Sequence, residues 1–285
     1  MANTIDSKLL VDKVIENFEA YAGPTIGFSK EFVLDYSDKY VDAAYLTQGV
    51  QIPVTTSVGN VNVDPAIFGN NNRTVAAVSV PVHLYSVDWT QTCYEGQVPG
   101  ENSLAQAVES MAEKIGSVIL GQFVTGSGFT TASVNLSGAD TDEKINTMFK
   151  DVYAAMSKAG PKFLIANPEM FSKGLPVTQN SFNPLEGNGF RGFKGCYESS
   201  ILPTTDSAIG VVCGRKALAL INVLPDFRNV DGLESTPIVI DSLGGLRVLL
   251  NKWSDKSSRS IKWSLDVALG VAPFDKNDAK ILVQK

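Results

Sequence analysis

Between Gly100 and Val124 the apolar residues Leu104, Val108, Met111, Ile115, Val118 and Ile119 recur at the spacing of one helical face. Glu101, Glu109, Glu113 and Lys114 fall elsewhere on the same turns. Ser103 followed by Gln106 reads as a capping box at the start. At 1.5 Å per residue such a helix spans roughly 30 Å or more. That is long for a domain of this size and reads as a structural beam.

Upstream, Leu10, Val11, Val14, Ile15 and Phe18 predict a short amphipathic helix from about Ser7 to Tyr21, ended by Ala22-Gly23-Pro24. So brief a helix is marginal alone and needs a surface to pack against. Residues from about Tyr36 to Asp64 read as extended, with Val50, Ile52 and Val54 alternating and Pro53 marking an edge position. The polar run Phe68-Gly69-Asn70-Asn71-Asn72-Arg73 follows, then a long strand from about Thr74 to Thr90. Together they predict a long hairpin with a polar tip. Val78, Val80, Val82 and Leu84 share one parity and Tyr85, Val87 and Trp89 the other. That switch implies a bulge or a strand that changes environment along its length.

Downstream, Thr125 to Ala139 is rich in Gly, Ser and Thr and reads as a loop or weak strand. A second helix is expected from about Asp142 to Ala159, with an Asp140/Glu143 capping pair and Gly160-Pro161 as its stop. Phe163-Leu164-Ile165-Ala166 is a short buried strand, and Pro168 starts a helical turn. Short strands and helices continue through Ile209 to Cys213 and Arg215 to Ile221, making an α/β region. The end is β: Leu246 to Trp253 and Ser260 to Val271 flank a polar turn. In the second strand Ile261, Trp263, Leu265, Val267 and Leu269 face inward, and Lys262, Ser264 and Asp266 outward.

The 285 residues are 44% hydrophobic and 19% charged, the balance of a folded globular chain. The net charge is −6 with no dense basic run, which disfavours gripping nucleic acid. No stretch approaches the ~20 apolar residues of a membrane helix, and the opening residues lack a secretory pattern. Three cysteines, Cys93, Cys196 and Cys213, read as reduced thiols. The single histidine, His83, excludes multi-histidine metal sites and leaves any Ser-His-Asp arrangement one possible base.

The remaining motifs read as structure. Gly187-Asn188-Gly189-Phe190-Arg191-Gly192 matches G-x-G-x-x-G, but a dinucleotide site needs a helix after it, and Phe193 to Tyr197 reads as a strand. Asp140, Asp142 and Glu143 gather at a helix start, where capping and the helix dipole account for them. Catalytic, cofactor-binding and metal residues are therefore expected to be none. The arm and hairpin cannot bury enough surface within one chain, which points to neighbouring subunits.

The order of elements resembles the major capsid protein of tailed double-stranded DNA bacteriophages, the α+β Hong Kong 97-like fold. Ser103 to Val124 looks like that family's spine helix, and Tyr36 to Thr90 like its extended loop and adjoining strands. Asp151 to Met156 followed by Gly160 to Phe171 is similar to the helix, strand and Asn-Pro turn that open its axial domain. Gly195 to Pro203 resembles the next strand, Gly214 to Leu220 a short helix, and Leu246 to Val271 the returning peripheral hairpin. The resemblance implies an N-terminal arm (1–35), extended loop and peripheral strands (36–90), spine helix (91–141), axial domain (142–245) and returning hairpin with the C-terminus (246–285). It also implies a non-enzymatic subunit that forms pentamers and hexamers of an icosahedral shell around phage DNA, a virion component assembled in the host cytoplasm. Separate scaffolding, portal and decoration proteins would be its partners. Contacts between subunits are expected at the hairpin tip, including Asp64, Asn71 and Arg73, and in the loop carrying Asn183, Glu186 and Arg191. Between Lys39 and Lys114 there is no lysine, so covalent cross-linking through an extended-loop lysine is not expected. An encapsulin-like nanocompartment shell, or a small-molecule enzyme or binding module on the α/β region, are the alternatives.

Overall fold

Two five-stranded sheets and one long helix share the largest apolar core. The computed structural model describes residues 11–16, 50–55, 75–92, 97–157, 160–175, 192–203, 206–214, 217–224, 232–240, 246–255 and 257–285. The first helix is the turn at residues 11–16, α1. Val14 is fully buried in the main core with Val11 and Ile15 against it, so the short amphipathic segment finds the support it needs.

Strand β1 (Val50–Thr55) pairs antiparallel with β2 (Val75–Val80), from Val50 opposite Val80 to Thr55 opposite Val75. The two sides of the expected hairpin are thus joined; its tip lies outside the described residues. Pro81 separates β2 from β3 (Val82–Thr92). The pairing of β3 with β11 (Ser260–Pro273) runs without a slip from Val82 opposite Gly270 to Thr92 opposite Ser260. The parity switch is therefore a change of surroundings. Val80 and Val82 bury in a small cluster with Ala268 and Ala272, whereas Tyr85, Val87 and Trp89 lean on the main core from the opposite face.

The long helix α2 runs Gln97–Leu120. It begins before the expected Ser103 cap because Pro99 is tolerated in a first turn, where its missing N–H loses no bond. Its 24 residues span roughly 36 Å. Leu104, Val108, Met111, Ile115 and Ile119 are all buried, as their spacing requires. The first sheet runs β3-β11-β10-β9, with β10 (Leu246–Asp255) and β9 (Leu233–Ile240), and β8 (Leu218–Val223) pairs with the far end of β11. Here the short helix expected at Gly214 to Leu220 is corrected. Leu218 to Val223 is a strand, because an apolar run this short carries no period to separate helix from strand and β11 offers it a ladder.

The second sheet runs β4-β12-β7-β5-β6, from β4 (Thr130–Val134), β12 (Ala279–Gln284), β7 (Ala208–Cys213), β5 (Phe163–Ala166) and β6 (Gly195–Glu198). One face joins the main core through Phe163, Ile165, Val211, Cys213, Ala279 and Ile281. The other face packs on α3 (Asp142–Ala155) and α4 (Pro168–Gly174) through Leu164, Ala166, Val212, Leu282, Phe149 and Met170. Burial on both faces explains why β5 and β7 are continuous apolar runs rather than alternating ones. Sheet membership is interleaved along the chain: β4 and the C-terminal β12 join the sheet of β5 to β7, while β9 joins that of the returning hairpin.

Candidate functional site

The outward face of the first sheet carries a buried polar ladder that crosses four strands. Ser86 is directly opposite Asp266, Ser264 opposite Asn251, and Asn251 opposite Ser235. Ser235 Oγ donates to Asn251 Oδ1 at 2.6 Å, and Asn251 Nδ2 donates to Asp266 Oδ2 and to Ser264 Oγ at 3.3 Å. Ser264 Oγ donates to Asp266 Oδ2 at 3.1 Å, and Ser86 Oγ donates to Asp266 Oδ1. Asn251, Ser264 and Asp266 are all buried. This refines the expectation that Ser264 and Asp266 face outward: they lie on the outer face, yet both side chains are buried, whereas Ser86 and Asp88 on the same face are exposed.

The ladder has a physical use, since every bond in it depends on one register. A slip of β10 or β11 would strand a carboxylate and an amide together, so the network specifies the pairing more than it adds net energy. Burial pushes the Asp266 carboxyl above its usual value, the donated hydrogen bonds oppose that, and the Asp88 charge adds to it. The single Ser86 hydroxyl hydrogen is also within reach of Asp88, at 3.2 Å. Because the folded-state pKa is raised, the folded chain holds this proton more tightly than the unfolded one. Stability from this group is full at low pH and is lost as pH rises through the raised value. Asp266→Asn keeps the shape and can turn its amide toward Ser86. Its stability relative to the unsubstituted chain is expected to rise from pH 4 to pH 7 in urea titrations of unassembled subunits; a flat difference would place the carboxylate in an unstrained site.

The start of α3 is capped by Thr141, whose hydroxyl accepts the Lys144 N–H at 3.5 Å. Thr141 thus replaces the expected Asp140/Glu143 pair. Asp140 instead bonds Lys144 Nζ at 2.7 Å, which holds its exposed carboxyl below the usual range. Asn167 caps α4 by accepting the Met170 N–H at 2.8 Å, and Pro168 occupies the first turn as read from the sequence. Burial pushes the Cys196 thiol up to about 12, and burial with the nearby Asp278 charge pushes Cys213 well above its usual value. Both are therefore thiols rather than thiolates at neutral pH; Cys93 lies outside the described residues. His83 is exposed on β3, with the Tyr85 ring 6.4 Å away. After Gly192 comes the strand β6 rather than a helix, so the glycine motif lacks the context of a dinucleotide site.

The contact residues expected from the resemblance, Asp64, Asn71, Arg73, Asn183, Glu186 and Arg191, all lie outside the described residues. Among the described residues no group of three or more His, Cys, Asp or Glu could hold a metal ion, and no helix is long and apolar enough to cross a membrane. The polar ladder and the groove beside α3, floored by Ala132, Val134, Met148 and Val152, were not anticipated. Their signal is a pattern of polar residues that acquires meaning only once strand register is known.

No protein-family model matches the chain, and no curated protein matches its sequence. Solved structures do match. The virus-like particle from Pyrococcus furiosus superposes with a TM-score of 0.57 at 12% identity, over 96% of this chain and 98% of that one. A structure of Gordonia phage Cozz gives 0.54 at 12% identity, over 92% and 86%. The capsid of Cyanophage P-SCSP1u gives 0.50 at 11% identity, over 87% and 85%. At such identities the likeness is one of fold, and the fold of this chain is the Hong Kong 97-like capsid fold.

Proposed function

We propose that this chain is a major capsid protein, a structural subunit that assembles with copies of itself into an icosahedral shell of pentamers and hexamers around phage double-stranded DNA. The reading is supported above all by a fold likeness that runs through 96% of this chain and 98% of the Pyrococcus furiosus particle protein. The shell is held by many modest contacts, which mass action makes cooperative and concentration-dependent.

Within this reading the segments are an arm (1–35), an extended loop with peripheral strands (36–90), the spine helix region (91–141), an axial domain (142–245) and the returning hairpin (246–285). The hairpin tip with Asp64, Asn71 and Arg73 and the loop with Asn183, Glu186 and Arg191 reach neighbouring subunits. Scaffolding, portal and decoration functions belong to other proteins, and assembly precedes packaging in the host cytoplasm. No lysine lies between Lys39 and Lys114, so the shell is non-covalent and its subunits separate in SDS.

Light scattering on the size-excluded protein, with microscopy of the void fraction, tests this directly. Megadalton hollow shells are the expected result, with nuclease-resistant DNA in native particles. Species of one to six subunits at every concentration, even with a scaffolding partner present, would overturn it. Native particles that enclose protein and no DNA would replace the phage reading with a nanocompartment.

A further inference from the structure

From Val75 to Thr92 one run of chain serves two sheets. Val75 to Val80 pairs with β1, and Val82 to Thr92 pairs with β11. Pro81 alone lies between them, exposed and without the N–H that a ladder would use. Val80 and Val82 on its two sides are buried, and they share a cluster apart from the main core. Ala219, Ile221 and Val223 of β8 and Ala268 and Ala272 of β11 complete that cluster.

Gly270 of β11 lies under this crossing, opposite Val82. A Cβ at residue 270 would stand 2.7 Å from the Pro81 carbonyl oxygen and 3.0 Å from both Val80 Cγ1 and Val82 Cγ2. All three residues of the crossing therefore rest on the one residue without a side chain. The nearest atom belongs to backbone, which cannot rotate aside as the end of a side chain can. Gly270 does not have a positive φ, so the site demands space rather than backbone freedom. A lift of about 0.5 Å across the roughly 7 Å from Val80 to Val82 tilts the chain by about 4° and moves the far end of β2, about 20 Å away, by about 1.5 Å. Interface cores are packed as closely as protein interiors, so that displacement is enough to spoil a contact made at the far end.

We propose that Gly270 is a positioning residue for shell assembly: by seating Val80, Pro81 and Val82 it fixes the direction in which the β1–β2 hairpin leaves the subunit toward its neighbour. This rests on the shell reading and names what aims one of its contacts. Pro81 adds to the aim, because its ring locks φ where the chain passes from one sheet to the other.

Three substitutions test it, each read by shell yield and by the melting of unassembled subunits. Gly270→Ala places a methyl under the crossing, and Pro81→Gly releases φ while removing only an exposed ring. Each is expected to lower shell yield at least about tenfold at temperatures where circular dichroism shows a folded subunit, since a small loss at every contact multiplies through the shell. Val267→Ala is the control. It truncates a fully buried side chain on the same strand but on the opposite face, within the main core. It is expected to lower the melting temperature and, below that temperature, to keep the parent's shell yield. Normal shells from Gly270→Ala or from Pro81→Gly would overturn the proposal. So would an equal loss from Val267→Ala, which would trace the defect to stability. If Gly270→Ala does not fold, Pro81→Gly decides alone. In each of these cases unsubstituted shells keep the capsid reading intact; if the unsubstituted chain never exceeds six subunits, both fall.

Discussion

Phe123→Ala is expected to destabilise the subunit by about 3–5 kcal/mol, the range for truncating a buried aromatic ring. Phe123 is fully buried and is among the largest side chains with no exposure. Its ring lies 5.4 Å from that of Phe129, in a cluster that also holds residues of α2 and both sheets. The size of the effect depends on whether the void can close. Here the backbone is tied on both sides of the residue. Gly121 N–H donates to the Ser117 carbonyl at 2.8 Å and Phe123 N–H to the Leu120 carbonyl at 3.0 Å. Two residues on, Asp206 accepts the Thr125 N–H at 2.7 Å and its hydroxyl at 2.8 Å. Collapse into the cavity would break these ties, so the void should persist. Urea titration of unassembled subunits measures the cost; a loss under about 1 kcal/mol would show that the turn relaxes into the space.

Phe123 also shows which parts of the fold were legible in the sequence. The stripe from Leu104 to Ile119 has a strong period, and its burial follows from spacing alone. The hairpin of β10 and β11 was equally plain, because alternation flanks a polar turn. By contrast β9 and β12 were not read. β12 takes its place through a partner distant in sequence, Ala279 opposite Cys213, whereas β9 pairs with the next strand, Ile240 opposite Leu246, and carries Pro237 within its run, which blurs its strand signal. Local propensity says little about such strands, since their stability comes from cross-strand packing. The short helix expected at Gly214 to Leu220 overlaps the strand β8 from Leu218 on, a run too short to show a period of its own.

The candidate site was less legible than the fold. Ser264 and Asp266 look like a solvated face until the sheet sets Ser86 and Asn251 against them. Likewise Glu143 and Asp151 look like ordinary helix-surface charges until β4 forms the other wall of their groove. Both features are products of register and packing, which a single sequence does not encode locally. The single histidine was a more direct sequence signal, because it leaves a multi-histidine metal site without ligands.

Lys162→Met should cost about 2–3 kcal/mol, more than a surface lysine could. Lys162 is buried at 6% exposure, and among the described residues no carboxylate pairs with it. Its ammonium instead donates to the Tyr153 carbonyl at 2.8 Å and the Met156 carbonyl at 2.5 Å, at the end of α3, and lies 4.1 Å from the Tyr153 ring centre. These carbonyls belong to the last turn, where an α-helix has no internal donors left and a cation is favoured by the dipole. Methionine preserves length and apolar stem but leaves both acceptors without this donor in a dry site. Burial lowers the lysine pKa, so the unfolded chain binds more protons than the folded one across an alkaline window below the ordinary lysine value. Stability of the unsubstituted chain should therefore gain on that of Lys162→Met as pH rises through that window. Equal stability at neutral pH would mean that water satisfies the end of α3. A difference that shrinks with rising pH would mean that the folded chain, rather than the unfolded one, favours the charged amine.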